Sequence, residues 1–326
     1  MRSHTVAGER VTPGARSNVG RPRGRVGLVL GGGGTAGMAF HVGTLLAMQS
    51  DLGWDPRDAD VIVGTSAGSV IAGLLRTGLS TDDLAAWATG APAGPGGRAV
   101  RAVLDRMDDT GMRPVMPWRT GRCASSPSRY ARLLGSVPLG LIDASTALRH
   151  LAEILPDGPV DGLYIAAVRA LDARRVVFGR DRHAPLADTI AASCAIPGLF
   201  QPVRVGRRWY FDGGVHSATN ADLLVGAGVD TAVILSPMTA RDDTSRNLPD
   251  WPLRRLCRLQ LARETSELMG AGLAVEVYQP SSRTLRAMGW NSLRRDRVPS
   301  IVTATFLGAF PGRSARGSVL AVPSHA

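Results

Sequence analysis

The sequence predicts an α/β fold in which a central, mostly parallel β-sheet is covered by helices on both faces. Short apolar runs, typical of strands buried on both faces, alternate along the chain with longer segments that favour helix. The first two runs end in glycine-rich turns that lead directly into a helix-like segment. With 326 residues, 44% of them hydrophobic and 20% charged, the chain is a globular protein able to bury a large core.

Seven apolar runs mark the predicted strands. They lie at 25–30, 60–63, 163–168, 175–178, 208–211, 231–235 and 274–278. Helices are predicted at 35–50 and 67–75, and helix-like segments at 145–155 and 252–269. The glycine- and proline-rich stretch 90–97 is predicted to be a loop.

Three regions are predicted along the chain. Residues 1–24 carry five arginines among Gly, Pro, Ser and Thr and lack the apolar core of a secretory signal, so we expect a disordered basic tail. Residues 25–310 form one predicted domain with an irregular insertion at about 90–140, and residues 311–326 form a second flexible tail. No stretch has the roughly 18 consecutive apolar residues that would span a bilayer.

The cysteines indicate the redox compartment. Cys123, Cys194 and Cys257 are odd in number, far apart and free of any Cys-x-x-Cys pair. This pattern argues against a disulfide framework and against a thiolate metal site. We therefore expect a cytoplasmic protein, and peripheral attachment to a membrane is compatible with the same sequence.

The net charge is strongly positive. The chain has 38 cationic residues, all of them arginine, against 27 acidic ones, which gives +11. Such an excess favours anionic partners such as phospholipid headgroups, phosphate esters or nucleic acid. The alternative is a biased composition whose charges are scattered over the solvated surface.

A glycine-rich loop follows the first predicted strand. It contains a Gly-x-Gly-x-x-Gly pattern at Gly32, Gly34 and Gly37. Backbone amides at such a strand-to-helix turn can hold an anion, either a pyrophosphate or the oxyanion of a tetrahedral intermediate. A dinucleotide site also needs an acidic residue at the end of the second strand. Asp51 and Asp55 come before that strand, so their position does not fit.

The second predicted strand ends in a Gly-x-Ser-x-Gly sequence. Gly64, Ser66 and Gly68 fall at a strand-to-helix turn, where a sharp bend exposes a serine hydroxyl above the sheet. This context favours a nucleophilic serine. The alternative is a tight turn in which Ser66 only caps the helix that follows.

A serine nucleophile needs a base, and the sequence offers few. In an ordinary α/β-hydrolase the acid and then the histidine follow the serine along the chain. Only His216 and His325 lie late in the sequence; His325 is in the predicted tail, and His216 is four residues after Asp212. Asp212 itself is the other candidate. Taken alone, an Asp-Gly pair after an apolar strand is typical of a hairpin turn.

The glycine loop, the Gly-Thr-Ser-Ala-Gly turn and the Asp-Gly-Gly turn, in that order, resemble the patatin-like phospholipases. The resemblance includes residues 192–203 and the region near Asn220, and it covers roughly 25–280. It implies a patatin-like fold and a Ser-Asp dyad without histidine, with Ser66 as nucleophile and Asp212 as base. It implies an oxyanion hole at Gly32, Gly33 and Gly34, with supporting motif glycines at Gly37, Gly64, Gly68, Gly213 and Gly214. The loop departs from the family pattern at Ala36, where the family usually has Arg or Lys.

What the resemblance implies is hydrolysis of lipid acyl esters through an acyl-Ser66 intermediate. No metal or other cofactor is expected, the partner is a lipid at a membrane surface, and no nucleic acid is expected. Three alternatives stay open: a water-soluble carboxylesterase or thioesterase on the same dyad, a non-catalytic lipid-binding relative, and a nucleotide-binding oxidoreductase.

Residues 112–128 are expected to control the access of lipid to Ser66. This stretch has three prolines together with Met112, Met116 and Trp118, which are apolar side chains suited to a lipid interface. Its alternative is an ordered excursion packed on the core.

Overall fold

The structure is a computed structural model that describes residues 21–91, 94–110, 113–114, 140, 142–143, 145–241 and 248–310. Most of the two predicted tails and most of the predicted insertion lie outside the described residues. Met112, Met116, Trp118 and Cys123 are among the residues outside them.

The described strands are β1 Val26–Leu30, β2 Val61–Thr65, β3 Arg113–Pro114, β4 Ile142–Asp143, β5 Leu163–Arg169, β6 Arg175–Phe178, β7 Val203–Val205, β8 Arg208–Asp212, β9 Thr231–Leu235 and β10 Ala274–Tyr278. Eight of them form one mixed sheet in the order β10-β9-β1-β2-β5-β8-β7, with β6 also paired to β5. The short β3 and β4 pair separately with each other. From β10 to β5 all pairs are parallel, whereas β6, β8 and β7 join antiparallel, which confirms the prediction of a mostly parallel sheet.

The described helices lie on both faces of this sheet. They are α1 Gly34–Leu52, α2 Ala67–Arg76, α3 Thr81–Thr89, α4 Pro95–Thr110, α5 Ser145–Arg149, α6 Leu186–Ser193, α7 Trp251–Gly270, α8 Ser282–Met288 and α9 Val298–Gly308. Leu28 and Leu30 of β1 belong to the large core cluster that includes α1 and α2. Val29 belongs instead to a second cluster with Leu261 and Leu268 of α7. Successive residues of β1 are therefore buried on opposite faces, as its uninterrupted apolar run predicts.

The register brings the ends of the central strands to one edge. Leu30 at the end of β1 pairs with Gly64 of β2 and with Leu235 of β9. Because parallel strands in register end together, the glycine loop after β1 and the turn after β2 lie side by side. This edge carries the candidate site.

Two sequence predictions need correction. The loop predicted at 90–97 is wrong for its last three residues, because Pro95 begins α4. Proline is favoured in the first turn of a helix, where its missing N–H removes no hydrogen bond. The irregular insertion predicted at about 90–140 therefore begins with a helix of 16 residues. Helices α3, α6, α8 and α9 have no counterpart among the predicted elements.

The end of the predicted N-terminal tail contacts the sheet. The Arg23 carbonyl accepts a hydrogen bond from the Thr231 hydroxyl at 2.8 Å, and Pro22 is buried. In the described ranges, no helix combines the length and the apolar character needed to cross a bilayer.

Candidate active site

Ser66 occupies a sharp turn between β2 and α2. Its backbone has φ 52° and ψ −123°, a conformation that non-glycine residues rarely adopt. Ser66 does stand at the N-cap position of α2, but its side chain makes no capping hydrogen bond to that helix. Strained serines at strand-to-helix turns are typical of nucleophiles.

The glycines on either side of Ser66 are needed because neighbouring backbone packs closely against both positions. A Cβ at Gly68 would lie 1.9 Å from the Leu30 carbonyl oxygen, and one at Gly64 would lie 2.6 Å from the Cα of Ser69. Neither position can hold a side chain without moving the backbone. The two glycines of the Gly-x-Ser-x-Gly pattern are therefore required because α2 packs closely on β1 and β2.

Asp212 is the last residue of β8, and its side chain is buried. Its carboxylate accepts a hydrogen bond from the Gly214 N–H at 2.7 Å, and the Ser66 side chain lies close enough to it to lower its pKa. A short 3-10 turn, Gly213–Val215, follows instead of a hairpin, so the hairpin interpretation is wrong. Gly213 packs against β5, where a Cβ would lie 2.3 Å from the Ala166 carbonyl oxygen.

Burial raises the pKa of Asp212 to about 6, and the nearby Ser66 side chain and the Gly214 N–H oppose this increase. Removal from water disfavours the charged form of a carboxyl group. Asp212 is still ionised at neutral pH. It is therefore a stronger base than an exposed carboxylate and is available in its basic form.

The histidines take other positions. His41 is buried, and its Nε2 donates a hydrogen bond to the Gly31 carbonyl at 2.7 Å. Burial lowers the pKa of His41 to about 4, so the ring is neutral. His216 is exposed, and its backbone N–H donates to Gly213. Among the described residues, no histidine hydrogen-bonds to Ser66 or Asp212.

The glycine loop lies against Ser66. A Cβ at Gly32 would lie 3.3 Å from the Cβ of Ser66. The Gly32 N–H, however, donates to the Ala218 carbonyl at 2.8 Å. The expectation that this amide forms part of an oxyanion hole needs correction, because its hydrogen atom already has an acceptor.

Gly33 stands immediately before α1, and Gly34 is the first residue of that helix. Within the part of the chain that the structure describes, neither N–H has a backbone acceptor, whereas Gly37 donates to the Gly33 carbonyl at 2.9 Å. Unpaired N–H groups and the helix dipole favour negative charge at a helix N-terminus. These two amides therefore remain available to an oxyanion. Gly37 lies in the first turn of α1, and a Cβ there would lie 3.7 Å from the Cβ of Ala67.

Ala36 is buried, and its N–H donates to the Ser292 carbonyl at 2.9 Å. The position that usually carries a cation in patatin-like proteins thus holds a methyl group enclosed by the protein. A long charged side chain there would have to displace its neighbours.

Ser193 lies in the stretch 192–203 that carries part of the resemblance, but no motif in the sequence marks this residue itself. The Ser66 N–H donates to the Ser193 hydroxyl oxygen at 2.9 Å, and the Ser193 hydroxyl donates to the Ala166 carbonyl at 2.7 Å. Ser193 thereby ties the strained turn to β5. The same bond occupies the Ser66 amide, which is not available to an oxyanion.

A buried carboxylate also holds the loop that follows Asp212. Glu264 of α7 accepts hydrogen bonds from the hydroxyls of Ser217 and Thr219 and from the Ala221 N–H. Burial raises its pKa. The same loop supplies the Ala218 carbonyl that holds Gly32. Glu264 therefore connects the Asp212 side of the site to the glycine loop, and a single Glu on a helix gives no sequence signal of this role.

Asn220 joins this loop to the nucleophile turn. Its backbone has φ 53°, and its side-chain amide donates to the Thr65 hydroxyl at 3.1 Å and to the Ser217 carbonyl at 2.7 Å. Thr65 is the residue before Ser66. The region near Asn220, noted for its resemblance, thus has a definite structural contact with the site.

Comparison with known proteins gives one matching family model and several relatives of similar sequence. The family model described as patatin-like phospholipase matches residues 28–225. Uncharacterized NTE family proteins of Mycobacterium bovis and Mycobacterium tuberculosis are 27% identical over 245 residues, which cover 72% of this chain and 56% of theirs. The chain thus spans a little more than half the length of these relatives.

Two solved structures are similar at low identity. VipD from Legionella pneumophila is 15% identical with a TM-score of 0.38, covering 87% of this chain and 67% of VipD. ExoU in complex with SpcU, from the type III secretion system of Pseudomonas aeruginosa, is 16% identical with a TM-score of 0.29, covering 88% of this chain and 53% of the other.

Proposed function

Because the chain belongs to the patatin-like phospholipase family, we propose that it hydrolyses acyl esters of lipids with Ser66 as nucleophile and Asp212 as base. The observation that carries the proposal is the placement of Ser66, on a strained strand-to-helix turn, beside the buried Asp212 carboxylate, whose pKa its side chain lowers. A serine hydroxyl is a weak nucleophile until a neighbouring base accepts its proton. Asp212 is a base in the position to do so.

The acylation step starts from this pair. Ser66 Oγ attacks the ester carbonyl carbon while Asp212 accepts the hydroxyl proton. As the tetrahedral intermediate collapses, the bond to the alcohol oxygen breaks and Asp212 returns the proton to the departing alkoxide. The products of this half-reaction are the free alcohol and the acyl-Ser66 ester.

Deacylation repeats the sequence with water. Asp212 accepts a proton from a water molecule, whose oxygen attacks the acyl-Ser66 carbonyl carbon. When the second tetrahedral intermediate collapses, the bond to Ser66 Oγ breaks and the proton passes from Asp212 to that oxygen. A fatty acid is released, and the dyad is restored.

The two unpaired amides of Gly33 and Gly34 support stabilisation of both tetrahedral intermediates. Their N–H groups belong to the N-terminus of α1, where the helix dipole adds to the attraction for negative charge. Loss of one such donor typically costs ~3 to 4 kcal/mol of transition-state stabilisation. The amides of Gly32 and Ser66 do not contribute, since each already donates within the protein.

The lipid class of the substrate rests on family membership, and the dyad chemistry alone would equally serve a water-soluble ester. A fluorophosphonate probe with mass spectrometry tests the nucleophile, and a panel of phospholipids, neutral lipids and short p-nitrophenyl esters tests the substrate class. We expect the label on Ser66 and faster hydrolysis of lipids than of short esters. Hydrolysis of short esters alone would assign a soluble esterase, and absence of both label and turnover would assign a lipid-binding protein.

A further inference from the structure

Helix α7 exposes a row of apolar and cationic side chains to solvent. Its three exposed leucines are Leu253, Leu256 and Leu259, with exposed fractions of 52%, 64% and 54%. Exposed arginines lie between and beside them. We call this surface the α7 outer face, made of Pro252, Leu253, Arg255, Leu256, Arg258, Leu259 and Arg263.

The charge of this face is of one sign. From Trp251 to Arg263 the helix contains no acidic residue. Its fourth arginine in this stretch, Arg254, points inward instead: it is buried and donates to the Asp250 carboxylate at 2.8 Å. The outer face thus combines three leucines with three cations within about three helical turns.

The α7 outer face starts at the same edge of the sheet as the candidate site. Arg254 Nη1 donates to the carbonyl oxygens of Pro237 and Thr239 at 2.9 and 3.2 Å. Pro237 in turn packs on the glycine loop, since a Cβ at Gly33 would lie 2.9 Å from its Cγ. Pro237 thus contacts the Gly33 backbone through its ring and the Arg254 side chain through its carbonyl oxygen.

We propose that the α7 outer face docks on an anionic lipid surface and so brings Ser66 to the interface where its substrate lies. The inference of a lipid interface near Ser66 rests on the proposed function. Leucine side chains enter the acyl region of a bilayer, while arginines bind phosphate groups at the level of the headgroups. A face that carries leucines and arginines within a few turns can therefore contact the acyl region and the headgroups together. An apolar protein partner would not need three cations, and a second copy of this chain would bring them against their own charge.

The test measures binding rather than turnover. The full chain carrying Ser66→Ala is sedimented with vesicles of phosphatidylcholine alone and with vesicles of phosphatidylcholine and phosphatidylglycerol in equal parts. We expect binding to the anionic vesicles, weakened by salt because part of the attraction is electrostatic. Leu256→Ser with Leu259→Ser should weaken it about tenfold or more, since two large apolar side chains no longer enter the bilayer. Arg255→Gln with Arg258→Gln should remove most of the preference for anionic vesicles.

Met269→Ser is the matched control. Met269 is 57% exposed on the same helix but lies at its other end, thirteen residues or about 20 Å from Leu256. We expect it to bind vesicles as the parent does, and circular dichroism verifies that all variants are folded. Equal loss in Met269→Ser, no binding by the parent, or a leucine-dependent dimer in solution would each overturn the proposal. Because binding is read without turnover, its result is independent of whether Ser66 reacts with a fluorophosphonate.

Discussion

The Ser66 side chain lies beside the Asp212 carboxylate, close enough to lower its pKa, and among the described residues no imidazole hydrogen-bonds to either group. In a triad, a histidine carries the proton between the serine and the leaving group. Here the Asp212 carboxylate has to accept the proton from the serine and also deliver it to the leaving group. Its burial at the end of β8 raises its pKa and makes it a better proton acceptor than a carboxylate in water.

The pH dependence of hydrolysis should report Asp212. Since the base must be ionised and burial raises its pKa to about 6, kcat/KM on a neutral ester should fall below that pH by about tenfold per unit. Above it the profile should be flat until another group titrates. The profile of His216→Ala, measured in parallel, should be superimposable. A midpoint near that of an exposed aspartate would contradict the buried base.

Asp212→Asn should stabilise the protein while it inactivates it. The folded pKa of Asp212 lies above its ordinary value of 3.8, so the folded state binds this proton more tightly than the unfolded chain does. The ionised side chain therefore destabilises the fold progressively between about pH 4 and 6, and by about 3 kcal/mol above that range.

Urea unfolding at about pH 4 and about pH 8 measures this effect. Relative to the parent, Asp212→Asn should gain up to about 3 kcal/mol of unfolding free energy at the higher pH and little at the lower. The exposed Asp157→Asn serves as the control and should change neither value. A loss of stability that is the same at both pH values would mean that the charge is not what strains the site.

Glu264→Ala should weaken both fold and catalysis. It would leave three buried donors, the Ser217 and Thr219 hydroxyls and the Ala221 N–H, without their acceptor. We expect a loss of about 2 to 4 kcal/mol in unfolding free energy. We also expect kcat to fall about tenfold or more, because the loop that holds Gly32 shifts.

The matched control is Glu267→Ala, an exposed acidic residue less than one turn further along α7. It should leave both quantities unchanged. Equal behaviour of the two variants would show that Glu264 does not position the loop.

Gly33→Ala should lower kcat more than it changes KM. The added Cβ would lie 2.9 Å from Pro237 and 3.0 Å from Gly37, so the loop has to move and its amides turn away from the oxyanion. We expect a decrease in kcat of about 10²-fold or more, since oxyanion contacts form in the transition state. Gly158→Ala, where a Cβ would meet no atom within 4 Å, is the control. An unaltered kcat in folded Gly33→Ala would remove Gly33 from the oxyanion hole.

The central strands could be predicted because their burial on both faces leaves a continuous apolar run. Helix α9 could not, since its sequence is rich in β-branched residues that favour strands. It is helical because it packs closely on α1: a Cβ at Gly43 would lie 2.7 Å from the Val302 carbonyl oxygen. Tertiary packing here overrides local propensity.

The residues of the candidate site also include some that the sequence predicts and some that it does not. Ser66 and Asp212 could be predicted because each stands in a short local motif with glycines that the packing requires. Ser193 and Glu264 could not, since Ser193 is 127 residues from the Ser66 amide that it binds and Glu264 is 47 residues from Ser217. The glycine pattern predicts an available amide at Gly32 because the sequence does not show that the Ala218 carbonyl reaches it.

The rate of fluorophosphonate labelling in the parent, Asp212→Asn and His216→Ala tests the Ser66–Asp212 dyad most directly. The dyad predicts label on Ser66, a rate about 10²-fold or more lower in Asp212→Asn, and an unchanged rate in His216→Ala. Label on a different serine, or an equal decrease in folded His216→Ala and Asp212→Asn, would contradict it.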